Sequence, residues 1–358
     1  MPEKDEIINR LANNLAEVIT EEDLRERIAS GTPLTHYIGF EISGYVHLGT
    51  GIMTSLVMKD LTDLGVKCTV WLADWHSAIN NKLDGRQETA ARIGQGYFTE
   101  AMKASYKAVG GNPDDIEFRL ASEWYARDFP EYWKDVVSIG QHTTLARIVR
   151  SIDITGKAAG EDVDYARTMY PAMQAADIFY QNIDIAHAGM DQRKAHVVMR
   201  DVAHKIRPDQ PKPIALHHPL LQSLNGKSKE DKMSKSDPDS AIFVHDDPAD
   251  IERKIKKAFA PEKETEHNPI LNWIKNILFW NRSQPFRIER KEEHGGNVEF
   301  TNYEELEKAY AAGDVHPMDL KSTVSKELIE LLSPVREHFA QSDIAAKKAE
   351  LDEVLAKR

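Results

Sequence analysis

The chain has 358 residues, 41% of them hydrophobic and 29% charged, with a formal net charge of −12. That length allows two domains and a large core, and the balance is that of an ordinary folded chain without low-complexity segments. The acidic sum excludes whole-protein attraction for nucleic acid, so an RNA partner would have to be met by local basic patches.

The opening Met-Pro-Glu-Lys-Asp-Glu lacks the apolar core of a secretory signal, and no apolar run reaches the length of a bilayer span. The expectation is a cytoplasmic protein with no membrane partner. Residues 5–29 read as one helix, with Ile7, Ile8, Leu11, Leu15 and Ile19 at helical spacing. A strand is expected over 36–40, a helix over 49–63, and a nearly all-apolar, buried strand from Val66 to Leu72. That strand carries Cys68, the one cysteine, which excludes an intrachain disulfide and a cysteine-built zinc site. A helix over 87–109 stops at Gly110-Gly111-Asn112-Pro113, and a strand follows from Ile116 to Leu120. Residues 130–150 look helical, and a polar, glycine-bearing stretch spans 155–164. Helix, strand, helix and strand then fall at about 167–181, 183–187, 190–206 and 213–217.

Such alternation predicts an α/β fold, a mostly parallel sheet covered on both faces. Ligands of such sheets bind beyond the carboxyl ends of the strands, where strand order reverses. Helical periods dominate the rest, over 248–260, 269–280, 302–312, 318–340 and 342–357, with a hairpin expected in Phe286–Phe300 around Gly295-Gly296. The expected division is an α/β domain over 1–240 and a helical domain over 241–358. Two basic clusters, Arg147 and Arg150 near Lys157, and Arg253, Lys254, Lys256 and Lys257, read on their own as solvated helix faces.

Two polar stretches carry the chemistry. His47-Leu48-Gly49 follows the strand Tyr37-Ile38-Gly39-Phe40, passes Ser43-Gly44 and opens a helix. A strand, a glycine turn and a helix N-terminus make an anion site, because backbone N–H groups and the helix dipole both face the ligand. Lys232-Met233-Ser234-Lys235-Ser236 places two ammonium groups and two hydroxyls in a run of turn-formers, hence on a mobile loop suited to phosphate. Between them, Tyr170, Gln174 and Asp177 are spaced i, i+4 and i+7 on one helix face, among Met169, Ala172, Met173, Ala175, Ala176, Ile178 and Phe179. A buried phenol, amide and carboxylate need partners. A polar network through the core, a solvent-facing stripe, or a ligand with a polar head and tail would each satisfy them. Asp74 and His76 read as lining a pocket mouth or holding the anion loop, and His187 near Asp184 as structural. The fourteen histidines show no metal-ligand spacing.

Tyr37 to Gly44 with His47-Leu48-Gly49 resembles the first signature of the archaeal and eukaryotic branch of tyrosyl-tRNA synthetases, class I aminoacyl-tRNA synthetases. Leu72-Ala73-Asp74-Trp75-His76, Tyr170-Pro171-Ala172-Met173-Gln174-Ala175-Ala176-Asp177 and Gly189-Met190-Asp191-Gln192-Arg193-Lys194 resemble that family's second strand and two pocket segments. Lys232–Ser236 resembles its second signature, and His316-Pro317-Met318-Asp319-Leu320-Lys321 a motif of its anticodon-binding domain. These blocks occur in the family's order from about 35 to 335.

The resemblance implies a Rossmann-like doubly wound catalytic domain followed by a mostly helical anticodon-binding domain. It implies ATP-dependent activation of L-tyrosine to tyrosyl-adenylate and transfer to the 3′ end of tRNA(Tyr). Tyr37 and Asp177 would hydrogen-bond the substrate phenol, and Tyr170, Gln174 and Gln192 its α-amino group, with Glu41 nearby. His47, Gly49 and Thr50 would meet ATP, and Lys232, Ser234 and Lys235 would close over pyrophosphate, with His47, Lys232 and Lys235 in the catalytic roles. Asp319 would read a guanine at the first anticodon position with His294 and His316 stacking on it, and Arg147 and Arg150 are candidates for the acceptor end. Mg²⁺ would arrive with ATP, no protein-bound metal is expected, and a homodimer would pair through an insertion at about 120–165. Thr50 departs from the family pattern by standing where a second histidine normally ends the first signature, and His294 stands where some relatives carry a larger aromatic.

Three rival readings remain. A tryptophan-specific synthetase of the same fold would not need both Tyr37 and Asp177 aimed at an oxygen. A small-molecule adenylyl- or nucleotidyltransferase shares the His-x-Gly and lysine-loop chemistry but not the His316–Asp319 motif. A non-catalytic RNA-binding relative would not need both loop lysines.

Overall fold

The computed structural model describes residues 2–152, 164–226 and 238–357. The expected first helix is two helices around a strand: α1 (Pro2–Asn14), β1 (Glu17–Ile19) and α2 (Glu21–Ala29). Thr20 makes the break, since its hydroxyl accepts from Asp23 N–H at 3.1 Å and starts a new helix. Then come β2 (Thr35–Phe40), a wide π-type turn at Gly49–Met53, α3 (Thr54–Asp63), β3 (Lys67–Leu72) and α4 (Asp74–Ile79), the last not expected from the sequence. The helix expected over 87–109 is α5 (Gln87–Ile93) and α6 (Thr99–Ala108), parted where Gly96 takes the non-helical ψ of −105°.

Next are β4 (Ile116–Leu120) and the short, unexpected α7 (Ala121–Tyr125). The span 130–150 divides into α8 (Phe129–Gln141) and α9 (Leu145–Ile152). There follow α10 (Tyr165–Tyr180), β5 (Ile185–Gly189), α11 (Arg193–Ile206), β6 (Ile214–His218), α12 (Pro248–Lys257) and α13 (Pro269–Trp273). The expected hairpin is β7 (Phe286–Ile288) with β8 (Val298–Phe300), and Gly295 and Gly296 take φ of 90° and 71° in its connection. Four helices close the described chain: α14 (Tyr303–Ala312), α15 (Pro317–Leu331), α16 (Ser333–Phe339) and α17 (Ser342–Ala356). Pro334 sits in the first turn of α16, which explains why 318–340 is not one helix.

The main sheet has the order β1-β6-β5-β2-β3-β4, parallel throughout except for β1, which pairs antiparallel with β6. Strand alternation separates two cores. Ile38, Val70 and Leu72 join one that runs on through Leu320, Val324 and Val335 of the C-terminal helices to Leu351. Tyr37, Trp71 and Ala186 face the other, with Tyr125, Tyr132, Met173, Ile178 and Met199. Asp60 on α3 joins α1 to Trp280, accepting from Arg10 at 2.5 Å and Trp280 Nε1 at 2.9 Å. Among the described residues no helix is long and apolar enough to cross a membrane.

His187 does not pair with Asp184, whose carboxylate takes Thr35 N–H and hydroxyl at 2.9 Å. It stands instead in a buried file: His36 Nε2 is 3.2 Å from His187 Nδ1, and His187 Nε2 is 2.8 Å from His218 Nδ1. Beside it, His196 Nδ1 lies 3.1 Å from His217 Nε2, and His217 Nδ1 lies 3.0 Å from Glu17. Burial drives His36 and His196 down to about 3 and His218 to about 4, and it lowers His187 and His217 as well. These imidazoles are neutral when folded, whereas an unfolded chain takes up protons near 6.5. Below that pH the unfolded state binds more protons, so stability falls as pH falls, with a slope of up to about 1.4 kcal/mol per pH unit for each histidine. Thermal denaturation between pH 7 and 5 should show the midpoint dropping steadily, and a flat profile would remove the neutral file from the stability argument.

Candidate active site

Strand order reverses between β2 and β5, so a crevice opens above their carboxyl ends. Tyr37 projects from β2 to the α10 side, next to Trp71 of β3, with ring centroids 6.2 Å apart. The next residue on that face is Gly39, where a Cβ would strike the Tyr37 hydroxyl. Tyr170, Gln174 and Asp177 lie on α10 as their spacing requires. Tyr170 and Asp177 are buried and lie close enough to Tyr37 for their charges to couple.

Asp177 has no exposed surface. Tyr125 donates its hydroxyl to Oδ1 at 2.6 Å, and Trp71 Nε1 donates to Oδ2 at 3.1 Å. Tyr132 stacks on Tyr125 at 3.9 Å. Burial holds the Asp177 carboxyl well above the ordinary carboxylate range, opposed only in part by the Tyr125 and Trp71 donors. A carboxylate has about four lone-pair sites, so a further donor still finds an acceptor here. Burial, then Asp177, hold the Tyr37 phenol protonated. His76 stands with Nε2 3.8 Å from Asp177 and its ring edge-on to Tyr170 at 4.6 Å, and burial lowers it to about 4.

Several buried atoms around this space have no protein partner: both His76 nitrogens, Gln174 Oε1 and Asn80 Oδ1. Orphaned polar atoms converging on one place mark a site for a polar ligand. Gln174 Nε2 donates to Gln192 Oε1 at 3.3 Å, bringing those two together. Glu41 is not bare; it accepts from the Asn80 side-chain amide and pairs with Lys82 at 3.3 Å. Asp74 is buried and accepts from Trp75 and Ser122 N–H at 3.0 and 3.2 Å and Gln87 Nε2 at 2.5 Å, a positioning rather than an acid–base setting.

The chain leaves β2 through Gly44, whose φ of 139° suits glycine. Ile42 N–H is held by Ser77 Oγ at 2.7 Å. Val46 to Leu48 then pair with Ile242 to Val244, with Leu48 N–H on Ile242 O at 3.0 Å and Val244 N–H on Val46 O at 2.9 Å. His47 and Gly49 therefore sit at the crevice on a braced loop. Thr50 turns to His47, its N–H and hydroxyl each 3.3 Å from the ring. Lys232, Ser234 and Lys235 lie outside the described residues, as does Lys157.

Arg147 pairs with Asp201. With Arg150, Ser151, Arg193 and Lys194 it lines a cleft of about 250 Å³. The second basic cluster is largely neutralised, Lys254 by Asp246 at 2.6 Å and Arg253 by Asp239 at 2.7 Å. At the other end, His316 caps α15 by accepting from Met318 N–H at 3.2 Å, and Asp319 lies in that helix's first turn. Arg290 binds the carbonyls of Gly296 and Asp314 at 2.9 and 2.6 Å, drawing the hairpin turn that contains His294 toward α15. The His294 side chain is outside the described positions.

Sequence reasoning missed Trp71, Tyr125 and Tyr132. Trp71 sits in an apolar strand with nothing to mark its indole N–H, and Tyr125 ends a helix too short to show a period.

Fold and site together define a class I synthetase. A model of the class I tRNA synthetases (W and Y) matches residues 29–333, and the chain belongs to that family. The tyrosine–tRNA ligase of Thermococcus kodakarensis is 49% identical over 344 residues, covering 90% of this chain and 91% of its own. The crystal structure of the tyrosyl-tRNA synthetase of Pyrococcus horikoshii, complexed with L-tyrosine, gives a TM-score of 0.90 at 43% identity, over 99% of this chain and 100% of that one. A tryptophanyl-tRNA synthetase from Aeropyrum pernix, at 22% identity and a TM-score of 0.65, shares the fold. This chain is accordingly an enzyme, a tyrosine–tRNA ligase.

If Tyr125 and Trp71 hold Asp177 for a phenol donor, Tyr125→Phe should lower kcat/KM for tyrosine by roughly tenfold, the worth of one charge-assisted hydrogen bond. Phenylalanine, which never meets that oxygen, should be used as before. Removing the donor also raises the carboxyl further, so the acid limb of the tyrosine profile should move to higher pH. Steady-state pyrophosphate exchange with both amino acids checks each point.

Proposed function

We propose that the pocket between β2, β3, α4 and α10 holds the substrate tyrosine, with its phenol between Tyr37 and Asp177. The observation that carries this reading is the buried Asp177 carboxylate, already aligned by two donors and surrounded by unpartnered polar atoms. A phenol satisfies the pair, whereas a phenyl ring leaves it unpaired; tyrosyl-tRNA synthetases are themselves the standard example of that asymmetry. Tyr170, Gln174 and Gln192 face the α-amino group, with Glu41 contributing charge nearby.

ATP binds along His47, Gly49 and Thr50, at the start of the turn into α3. The tyrosine carboxylate attacks the α-phosphorus, the bond to the bridging oxygen breaks, and pyrophosphate leaves. The substrate supplies its own nucleophile, so the protein's part is alignment and charge stabilisation. Lys232 and Lys235, with Ser234, close over the departing pyrophosphate, gripping it more tightly as charge develops. Mg²⁺ would arrive with ATP and, when bound, would offset the charge on the phosphates. The terminal adenosine of tRNA then attacks the adenylate carbonyl and AMP leaves.

The cleft beside Arg147 and Arg150 takes the acceptor end, and Asp319, His316 and His294 take the first anticodon base. The boundary near residue 240 divides these tasks. The enzyme works in the cytoplasm as a homodimer paired through α8, where Phe129, Trp133 and Val137 expose 54, 41 and 43% of their surface on one helical stripe.

Pyrophosphate exchange across the twenty amino acids tests the reading: tyrosine should be the preferred substrate, and comparable rates with tryptophan would overturn it. Lys235→Ala should slow adenylation far more than it weakens tyrosine binding, as single-turnover and equilibrium measurements would show. Trp133→Glu should shift sedimentation from dimer to monomer, and a monomeric parent would remove the interface.

A further inference from the structure

The loop that carries His47 is gripped from the far end of the chain. Tyr45, two residues before His47, donates its hydroxyl to Asp352 on α17. Lys348, one turn earlier, pairs with Asp352 at 2.9 Å and holds its ammonium 5.3 Å from the Tyr45 ring centroid. Burial and then Asp352 keep the Tyr45 phenol protonated, so it remains the donor. Its ring meets Tyr97, Phe243 and His245 edge-on, at 6.0, 5.2 and 5.0 Å.

The same cluster holds the next residue. Val46 N–H donates to the Tyr97 hydroxyl at 3.1 Å, and that hydroxyl is 3.1 Å from His245 Nδ1. Burial, then the Lys348 charge, lower His245 to about 3, so its neutral ring can accept a hydrogen bond from the Tyr97 hydroxyl. Phe339 of α16 packs 5.6 Å from both rings. Three further contacts clamp the C-terminal helices. Glu100 on α6 takes His338 Nε2 at 2.8 Å and Lys347 at 2.6 Å, and Arg92 on α5 pairs with Glu350. Helix α17 lies beyond residues 29–333, the part shared with the family model.

We propose that α17 positions the nucleotide loop, Tyr45 and Asp352 acting as positioning residues that set where His47 and Gly49 stand when ATP binds. The proposal rests on the assignment of His47 and Gly49 to ATP. Its physical basis is lever length: Tyr45 and Val46 are the last fixed points before His47, and a shift of about 1 Å at reacting groups costs on the order of 100-fold in rate. A phenol–carboxylate bond is charge-assisted and therefore resists such a shift.

The test uses the full chain. Tyr45→Phe and Asp352→Asn, singly and together, are compared with wild type for the KM of ATP and of tyrosine in pyrophosphate exchange, alongside thermal midpoints. Each single change should raise the ATP KM by roughly threefold to tenfold and leave the tyrosine KM within about twofold. The double variant should add little, because both remove one bond. Asp352→Glu, which keeps an acceptor within reach, should restore most of the ATP KM. Tyr45→Phe deletes a single hydroxyl from a half-buried ring, so folding is retained. An unchanged ATP KM in both single variants, or parallel rises in both KM values, overturns the proposal when His47→Ala does raise the ATP KM. An ATP KM indifferent to His47→Ala overturns the nucleotide assignment itself, and this inference with it.

Discussion

The site exists because the chain winds outward from β2 in both directions. From β2 it passes to β3 and β4, then returns across the face to lay β5 and β6 on the other side. A crevice opens above the carboxyl ends of β2 and β5, where their flanking connections depart to opposite faces. Three segments of the proposed site are delivered there: the loop after β2, the Asp74–Ile79 helix after β3, and Met190–Gln192 after β5. Helix α10 enters from the side, and it brings the stripe that faces Tyr37.

Within that space Asp177 is fully buried. Its burial disfavours the charged form, and its partners favour it, so the carboxylate depends on Trp71 and Tyr125 to stay a good acceptor. The arrangement explains the density of aromatic rings around it. Trp71, Tyr125, Tyr132 and Tyr37 exclude water, and the donors among them replace the hydrogen bonds that water would have supplied. In the proposed pocket, discrimination between tyrosine and phenylalanine would come from what a phenyl ring leaves unsatisfied.

The helical C-terminal region is not an appendage. Leu320, Val324 and Val335 share a continuous core with Ile38 and Val70, and Asp60 joins α1 to Trp280. Contacts of this kind make small displacements at one end felt at the other, because close-packed elements transmit strain rather than absorb it. The Tyr45–Asp352 bond is the most direct of these links, since it lands on the loop that bears His47.

Much of this was legible in the chain alone. Helical period put Tyr170, Gln174 and Asp177 on one face, and the strand–helix alternation implied a mostly parallel sheet. Local signals also misled: Thr20, Gly96 and Pro334 divide stretches whose apolar spacing reads as continuous helix, because one cap or one backbone torsion outweighs a periodic pattern. Residue type and spacing fixed which groups could share a helix face, since those depend on bonds a few residues apart. Only the folded chain decided that Trp71 and Tyr125, 106 and 52 positions from Asp177, are its partners, and that Tyr45 reaches across 307 positions to Asp352. Such pairings are chosen by the packing of whole elements, and no local preference of the chain records them.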